Sequence, residues 1–112
     1  MSELSEKRCL PCEGGVQPID SKEARTYLKQ LHHSWKLNAS NTGIERSYTF
    51  ENFYATMAFV NAVAWIAHQE NHHPDLEVGY NRCRICYATH AIKGLSENDF
   101  ICAAKIDRLG GG

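Results

Sequence analysis

Four of the six histidines of this 112-residue chain fall between His68 and His90, in the stretch HQENHHPDLEVGYNRCRICYATH. Imidazole titrates nearer neutrality than any other side chain and also ligates metals, so such a cluster could move protons or hold a cation. His72 and His73 stand at the expected end of a helix and His90 at the expected end of a strand. Chain ends of this kind commonly assemble a site. The remaining pair, His32 and His33, follows the first expected helix, where a cation suits the helix dipole and no chemistry is required.

The metal reading fails on spacing. HQENH places His68 and His72 four apart, as a helical zinc-protease motif does, but the residue after the first histidine is Gln69 and not an acid. Glu70 would stand roughly 200° around a helix from His68. CLPC (Cys9, Cys12) and CRIC (Cys83, Cys86) have the spacing of a zinc ribbon. In a strand, however, residues three apart point to opposite faces, so Cys83 and Cys86 cannot converge on one ion. They are read as one core thiol and one surface thiol, and no metal or other cofactor is expected. Five cysteines, an odd number, and no secretory signal imply free thiols in a reducing, cytoplasmic setting.

The elements that must position the histidines can be read in order. Residues 1–18 mix charge, proline and a Gly-Gly without periodicity and are read as a flexible tail, so that removal of residues 1–15 should leave fold and activity largely intact. Asp20 and Glu23 resemble a capping box opening a first helix in IDSKEARTYLKQLHH, whose stripe is Ala24, Tyr27, Leu28 and Leu31. SWKLN and IERSYTF form a hairpin around Asn41 and Gly43, with Ile44, Arg46, Tyr48 and Phe50 alternating on one face. From Asn52 to about Asn71 the period becomes helical, with an apolar arc wide enough for burial on more than one side, and Pro74 ends the helix. Two strands follow, one with Leu76, Val78 and Tyr80, the next with Cys83, Ile85, Tyr87 and Thr89, turning near Tyr80–Arg82. On that second strand His90 shares the face of Cys86 and Ala88, away from Ile85 and Tyr87. Gly94 interrupts, and Ser96 caps a third helix in ENDFICAAKIDRL.

The order α-β-β-α-β-β-α implies an α+β domain: a four-stranded antiparallel sheet with three helices on one face. A single domain is expected over residues 19–109, with 110–112 as a C-terminal tail. A formal net charge of −1 without a basic stripe disfavours nucleic acid, and the longest apolar run, interrupted by Asn61, is too short to span a bilayer. So wide an arc on the second helix points to a homodimer or homotetramer.

HHP after an apolar helix, then Tyr80-Asn81, Thr89-His90 and G-L-S-x-x-D at Gly94–Asp99, resembles the pterin-4a-carbinolamine dehydratase family. The likeness runs from about Trp35 to Leu109 and includes the I-x-R-x-Y-x-F-x-x-F rhythm of Ile44–Phe53. It implies an antiparallel sheet covered by helices. It also implies dehydration of 4a-hydroxytetrahydropterin to the quinonoid dihydropterin, which recycles the cofactor of aromatic amino-acid hydroxylases. The family's site histidines fall on His72, His73 and His90, and its acid on Asp99. Elimination must protonate the 4a-hydroxyl and take the N5 proton, tasks within reach of imidazoles. His72 is read as the acid and His90 as the base. Asp99, three residues after Ser96, could instead complete a helix cap, and the two roles are compatible.

One departure stands out. Where the family often has a carboxylate, one turn before the first histidine of HHP, this chain has His68. A second function also follows from the resemblance, since some animal members act as dimerisation cofactors of a homeodomain transcription factor through the second helix.

Overall fold

The structure, a computed structural model, describes residues 3–10 and 17–110. The first helix, α1 (Ser21–Leu28), begins as its sequence dictates: the Asp20 carboxylate accepts from the Glu23 backbone N–H at 2.8 Å. It stops short of the expected His33, because Gln30 and Leu31 close tighter turns onto the Tyr27 and Leu28 carbonyls. β1 (Lys36–Leu37) and β2 (Ile44–Thr49) form the first hairpin, with Asn41 at φ 59° in the turn, a conformation asparagine tolerates well.

Helix α2 (Phe53–Glu70) is capped by Asn52, whose side chain accepts from the Ala55 N–H at 2.9 Å. Its end comes at Asn71 in the left-handed region, φ 52°, three residues before Pro74. Asparagine, with glycine, is the residue best able to terminate a helix in this way. β3 (Asp75–Val78), β4 (Arg82–Tyr87) and α3 (Glu97–Asp107) complete the order. Ser96 and Asp99 form a reciprocal capping box at the start of α3.

All strand pairs are antiparallel and the sheet order is β1-β2-β4-β3, which makes β4 a central strand. On β2, Ile44, Arg46 and Tyr48 are buried, and on β4 Cys83, Ile85 and Tyr87 are completely so, while their alternate neighbours are more open. Period-two burial of this kind is the mark of a sheet covered on one face. The cover is the helical layer, chiefly α3, whose Phe100, Ile101, Cys102, Ala103 and Ile106 are all buried. Arg46 sits on the inner face without an uncompensated charge: its Nη1 donates to Asp107 at 2.9 Å and its guanidinium lies over the Tyr48 ring. Among the described residues no helix is long and apolar enough to cross a membrane.

The N-terminal segment departs from its sequence reading. Residues Glu3–Glu6 form a 3-10 turn against α3, and Leu4 is only 2% exposed within the core. Arg8 through Leu10 then bridge the end of α2 and the start of α3. The segment has no amphipathic period, but the burial of one leucine needs none. The reading of residues 3–10 as a flexible tail does not match this docking, and a deletion of residues 1–15 would remove a buried leucine. Cys12 lies outside the described residues.

Helix α2 buries only Thr56, Phe59 and Val63 within the chain. Tyr54 is 80% and Trp65 60% exposed on the same helix. The broad apolar arc is thus covered on one side only within a single chain.

Candidate functional site

Because α2 ends at Asn71, the next two residues are not on its helical wheel at all. The backbone turns, the His72 N–H bonds back to the Ala67 carbonyl at 3.1 Å, and the His72 side chain swings toward α3. There its Nε2 lies 2.6 Å from Asp99 Oδ1. The ring also stacks on Tyr87 of β4, whose hydroxyl donates to the His72 carbonyl at 3.2 Å. Backbone, ring face and ring edge are all held.

Asp99 is fully buried, and each of its oxygens is engaged. Oδ1 faces His72, while Oδ2 accepts from Thr89 Oγ1 at 2.9 Å and from the Ser96 N–H at 3.0 Å. The cap and the site contact are therefore the same carboxylate. Burial disfavours the His72 imidazolium, but the hydrogen bond and negative charge of Asp99 outweigh it and hold its pKa above the ordinary histidine value. His72 is thus protonated over part of the neutral range where a free imidazole would be losing its charge.

A cavity of about 530 Å³ opens in front of this pair, lined by His72, His73 and His90 together with Thr89, Ala88 and Asn98. His90 starts a 3-10 turn (His90–Ile92) beyond the end of β4 at Tyr87, not on the strand itself, and it is exposed. Its ring faces that of His73 with centroids 6.1 Å apart and planes 24° from parallel. The structure therefore brings His72, His73 and His90 to one cavity and seats Asp99 behind the first of them. A flat, polar-edged molecule entering there would meet a charged imidazole backed by a carboxylate and two further imidazoles at the open side.

His68 is not in this cavity. It stacks on Trp65 and lines a neighbouring hollow of about 360 Å³ with Ala64, Ala67 and Leu76, sharing only Asn71, His72 and His73 with the first. Glu70 does border the main cavity, a placement the helical-wheel count did not suggest. Its carboxylate is already committed: it accepts from the Cys9 N–H at 2.8 Å and lies 3.1 Å from Arg8 Nε and 3.8 Å from Lys105 Nζ. Burial opposes its charge, but these donors hold its pKa below the usual glutamate value. Such a group stays ionised near neutrality and is no proton donor. Nothing in the sequence spacing signals this placement, which depends on the docking of Arg8 and Cys9. Cys83 is buried and Cys86 is part-exposed on the other face, as strand alternation demands, and among the described residues no three metal-ligating side chains converge.

The family model of pterin 4 alpha carbinolamine dehydratase matches residues 17–109, from the approach to α1 through the end of α3. The chain belongs to this family. Relatives carrying provisional pterin-4-alpha-carbinolamine dehydratase names include one from Nitrosomonas eutropha, 60% identical over 96% of this chain and 93% of its own. Another, from Legionella pneumophila (strain Corby), is 56% identical over 96% of both chains. Among solved structures, a transcriptional coactivator/pterin dehydratase from Brucella melitensis superposes with a TM-score of 0.79 at 28% identity, covering 85% of this chain and all of its own. A pterin dehydratase-like protein described as a RuBisCO assembly factor of the alpha-carboxysome aligns with a TM-score of 0.62 at 25% identity, over 72% of this chain and 95% of that one. The dehydratase match takes in His72, His73, His90 and Asp99, and it begins after the N-terminal segment that carries Arg8 and Cys9.

Proposed function

We propose that this protein dehydrates 4a-hydroxytetrahydropterin to the quinonoid dihydropterin, with histidines as the proton-transfer groups. The observation that carries the reading is the His72–Asp99 pair at 2.6 Å, at the wall of a cavity it shares with His73 and His90. The reaction breaks the C4a–O bond and the N5–H bond and releases water. His72, kept protonated by Asp99, gives a proton to the departing hydroxyl. His90, exposed across the cavity, takes the proton from N5, and His73 orients the ring between them. Solvent then exchanges the two imidazoles back to their starting states. The product is the quinonoid dihydropterin, one two-electron reduction short of the tetrahydropterin cofactor, so the partner enzyme is an aromatic amino-acid hydroxylase that forms the substrate.

The test is a dehydration assay on purified, chelator-treated protein with freshly formed 4a-hydroxytetrahydropterin. Acceleration over the spontaneous reaction is expected. A folded protein that leaves the spontaneous rate unchanged refutes the proposal.

A second reading has one observation in its favour. The exposed Tyr54 and Trp65 of α2 are suited to contact another protein, and the Brucella relative's name couples coactivator with dehydratase. A dimerisation cofactor of a transcription factor would use that helix and would tolerate loss of His90.

A further inference from the structure

Cys9 and Cys102 lie 93 positions apart in sequence, yet their sulfurs are 3.6 Å from each other. Neither is needed for the dehydration chemistry. Cys102 is completely buried on α3, where its sulfur also approaches the His72 carbonyl at 3.9 Å. Cys9 is part-buried and borders the cavity. It belongs to the N-terminal strap, which is tied down on both sides of that sulfur. The Cys9 N–H donates to Glu70 at the end of α2, and Leu10 exchanges two hydrogen bonds with the Asn98 side chain, at 3.1 and 2.6 Å. Lys105 Nζ donates to the Ser5 carbonyl at 3.0 Å.

We propose that Cys9 and Cys102 are a dithiol modification site that closes to an intramolecular disulfide under peroxide, fastening the strap to α3 as a fixed wall of the cavity. Closure needs the sulfurs to move from 3.6 Å to about 2.05 Å. Cys9 can supply that movement, because it sits in irregular backbone beyond the 3-10 turn, whereas Cys102 is inside a helix. Cys83 and Cys86 cannot compete, being on opposite faces of β4.

The chemistry balances with hydrogen peroxide as oxidant. Cys9, the member of the pair that lines the cavity, attacks a peroxide oxygen as its proton leaves; its hydrogen bond with Cys102 and burial push its pKa up, so this first step is the slow one. The O–O bond breaks, water leaves with the thiol proton, and Cys9 becomes a sulfenic acid. Cys102 then attacks the Cys9 sulfur, the S–O bond breaks, and hydroxide departs with the second thiol proton as water. Two thiols and one peroxide give one disulfide and two waters. Cys102 is suited to the second step. The hydrogen bond from Cys9 lowers its pKa against the effect of burial, with the Tyr87 hydroxyl and His72 adding to the same direction.

The strap also carries the means of testing this. Lys7 and Arg8 are tryptic sites within it, and a crosslink that holds it against α3 slows their cleavage. The full chain is treated with a small excess of hydrogen peroxide, excess oxidant is removed, and non-reducing peptide mapping is done alongside limited trypsin digestion under native conditions. The expected result is a Cys9–Cys102 crosslinked peptide pair that dithiothreitol dissolves. Cleavage after Lys7 and Arg8 should slow by about tenfold, and the melting midpoint should rise by ~5 °C or more, as suits closure of so long a loop. Cys9→Ser and Cys102→Ser should each abolish all three changes, and Cys12→Ser should abolish none. A Cys9–Cys12 bond, a crosslink between chains, or two freely alkylated thiols after oxidation would each overturn the proposal. Should Cys102→Ser fail to fold, Cys9→Ser at its part-exposed position decides alone. None of these readouts involves pterin turnover.

Discussion

Replacing Asp99 by asparagine separates its two tasks. The side chain keeps its size but loses the charge that sustains the His72 imidazolium, and it keeps one acceptor oxygen where three donors now converge: His72 Nε2, Thr89 Oγ1 and the Ser96 N–H. One or two of those buried donors lose their acceptor, which costs about 2–4 kcal/mol of stability and roughly 10 °C in melting midpoint. The larger effect falls on catalysis. With Asp99 neutral, burial acts on His72 against only the smaller influence of Cys102, and its pKa should drop. At neutral pH the acid is then mostly absent, and turnover should fall by about a hundredfold or more. The kcat/KM profile should show the same change: the descending limb that reports loss of the His72 proton should move to lower pH in Asp99→Asn. Steady-state dehydration rates between about pH 5.5 and 8.5, with melts on the same samples, measure both. If Asp99→Asn melts early but keeps the wild-type rate and profile, Asp99 is only the cap of α3 and His72 is not the acid.

Stability has its own pH signature. The folded pKa of His72 is raised, so its pairing with Asp99 contributes fully below the unfolded histidine value of about 6.5 and is lost as pH rises through the folded pKa. Urea midpoints should decline across that window in wild type, and the decline should vanish in His72→Gln. His90→Ala should lower turnover by about a hundredfold with little change in midpoint because the residue is exposed, whereas His33→Ala should change neither. His68→Ala, next to the site but in the adjoining hollow, should fall between them in rate. Leu4→Ala should cost about 2–4 kcal/mol in chemical denaturation, since it empties a buried position under α3. Light scattering should give a dimer or tetramer at micromolar concentration, because a monomer would leave Tyr54 and Trp65 in water.

Much of this arrangement is written locally. Asp20, Asn52 and Ser96 mark helix starts, and period-two burial on β2 and β4 fixes which face of the sheet is covered, so the α+β order can be read from side-chain type alone. His90 is exposed, but from a 3-10 turn past the end of β4, so strand alternation does not set its direction. Three features resisted for physical reasons. Asn71 in its left-handed conformation takes His72 off the α2 wheel, so the helical spacing of His68 and His72 says nothing about whether they meet. Glu70 reaches the cavity border in company with the strap, whose docking contacts include one buried leucine, hydrogen bonds to Glu70 and the Asn98 side chain, and a thiol pair. A segment held by such single contacts, each partner some 60 to 100 positions away, carries no periodicity to detect. The central place of β4 likewise depends on pairing across the chain and not on its own composition.

The most direct test of the account is the single-turnover decay of 4a-hydroxytetrahydropterin, followed by stopped-flow absorbance with stoichiometric protein after exhaustive chelation. Wild type should convert the substrate to quinonoid dihydropterin well ahead of the spontaneous reaction, and the His72→Ala and His90→Ala proteins, shown to be folded, should each lose about a hundredfold or more of that rate. Wild-type decay no faster than buffer, or undiminished decay in both variants, would contradict a histidine-driven dehydration at this cavity.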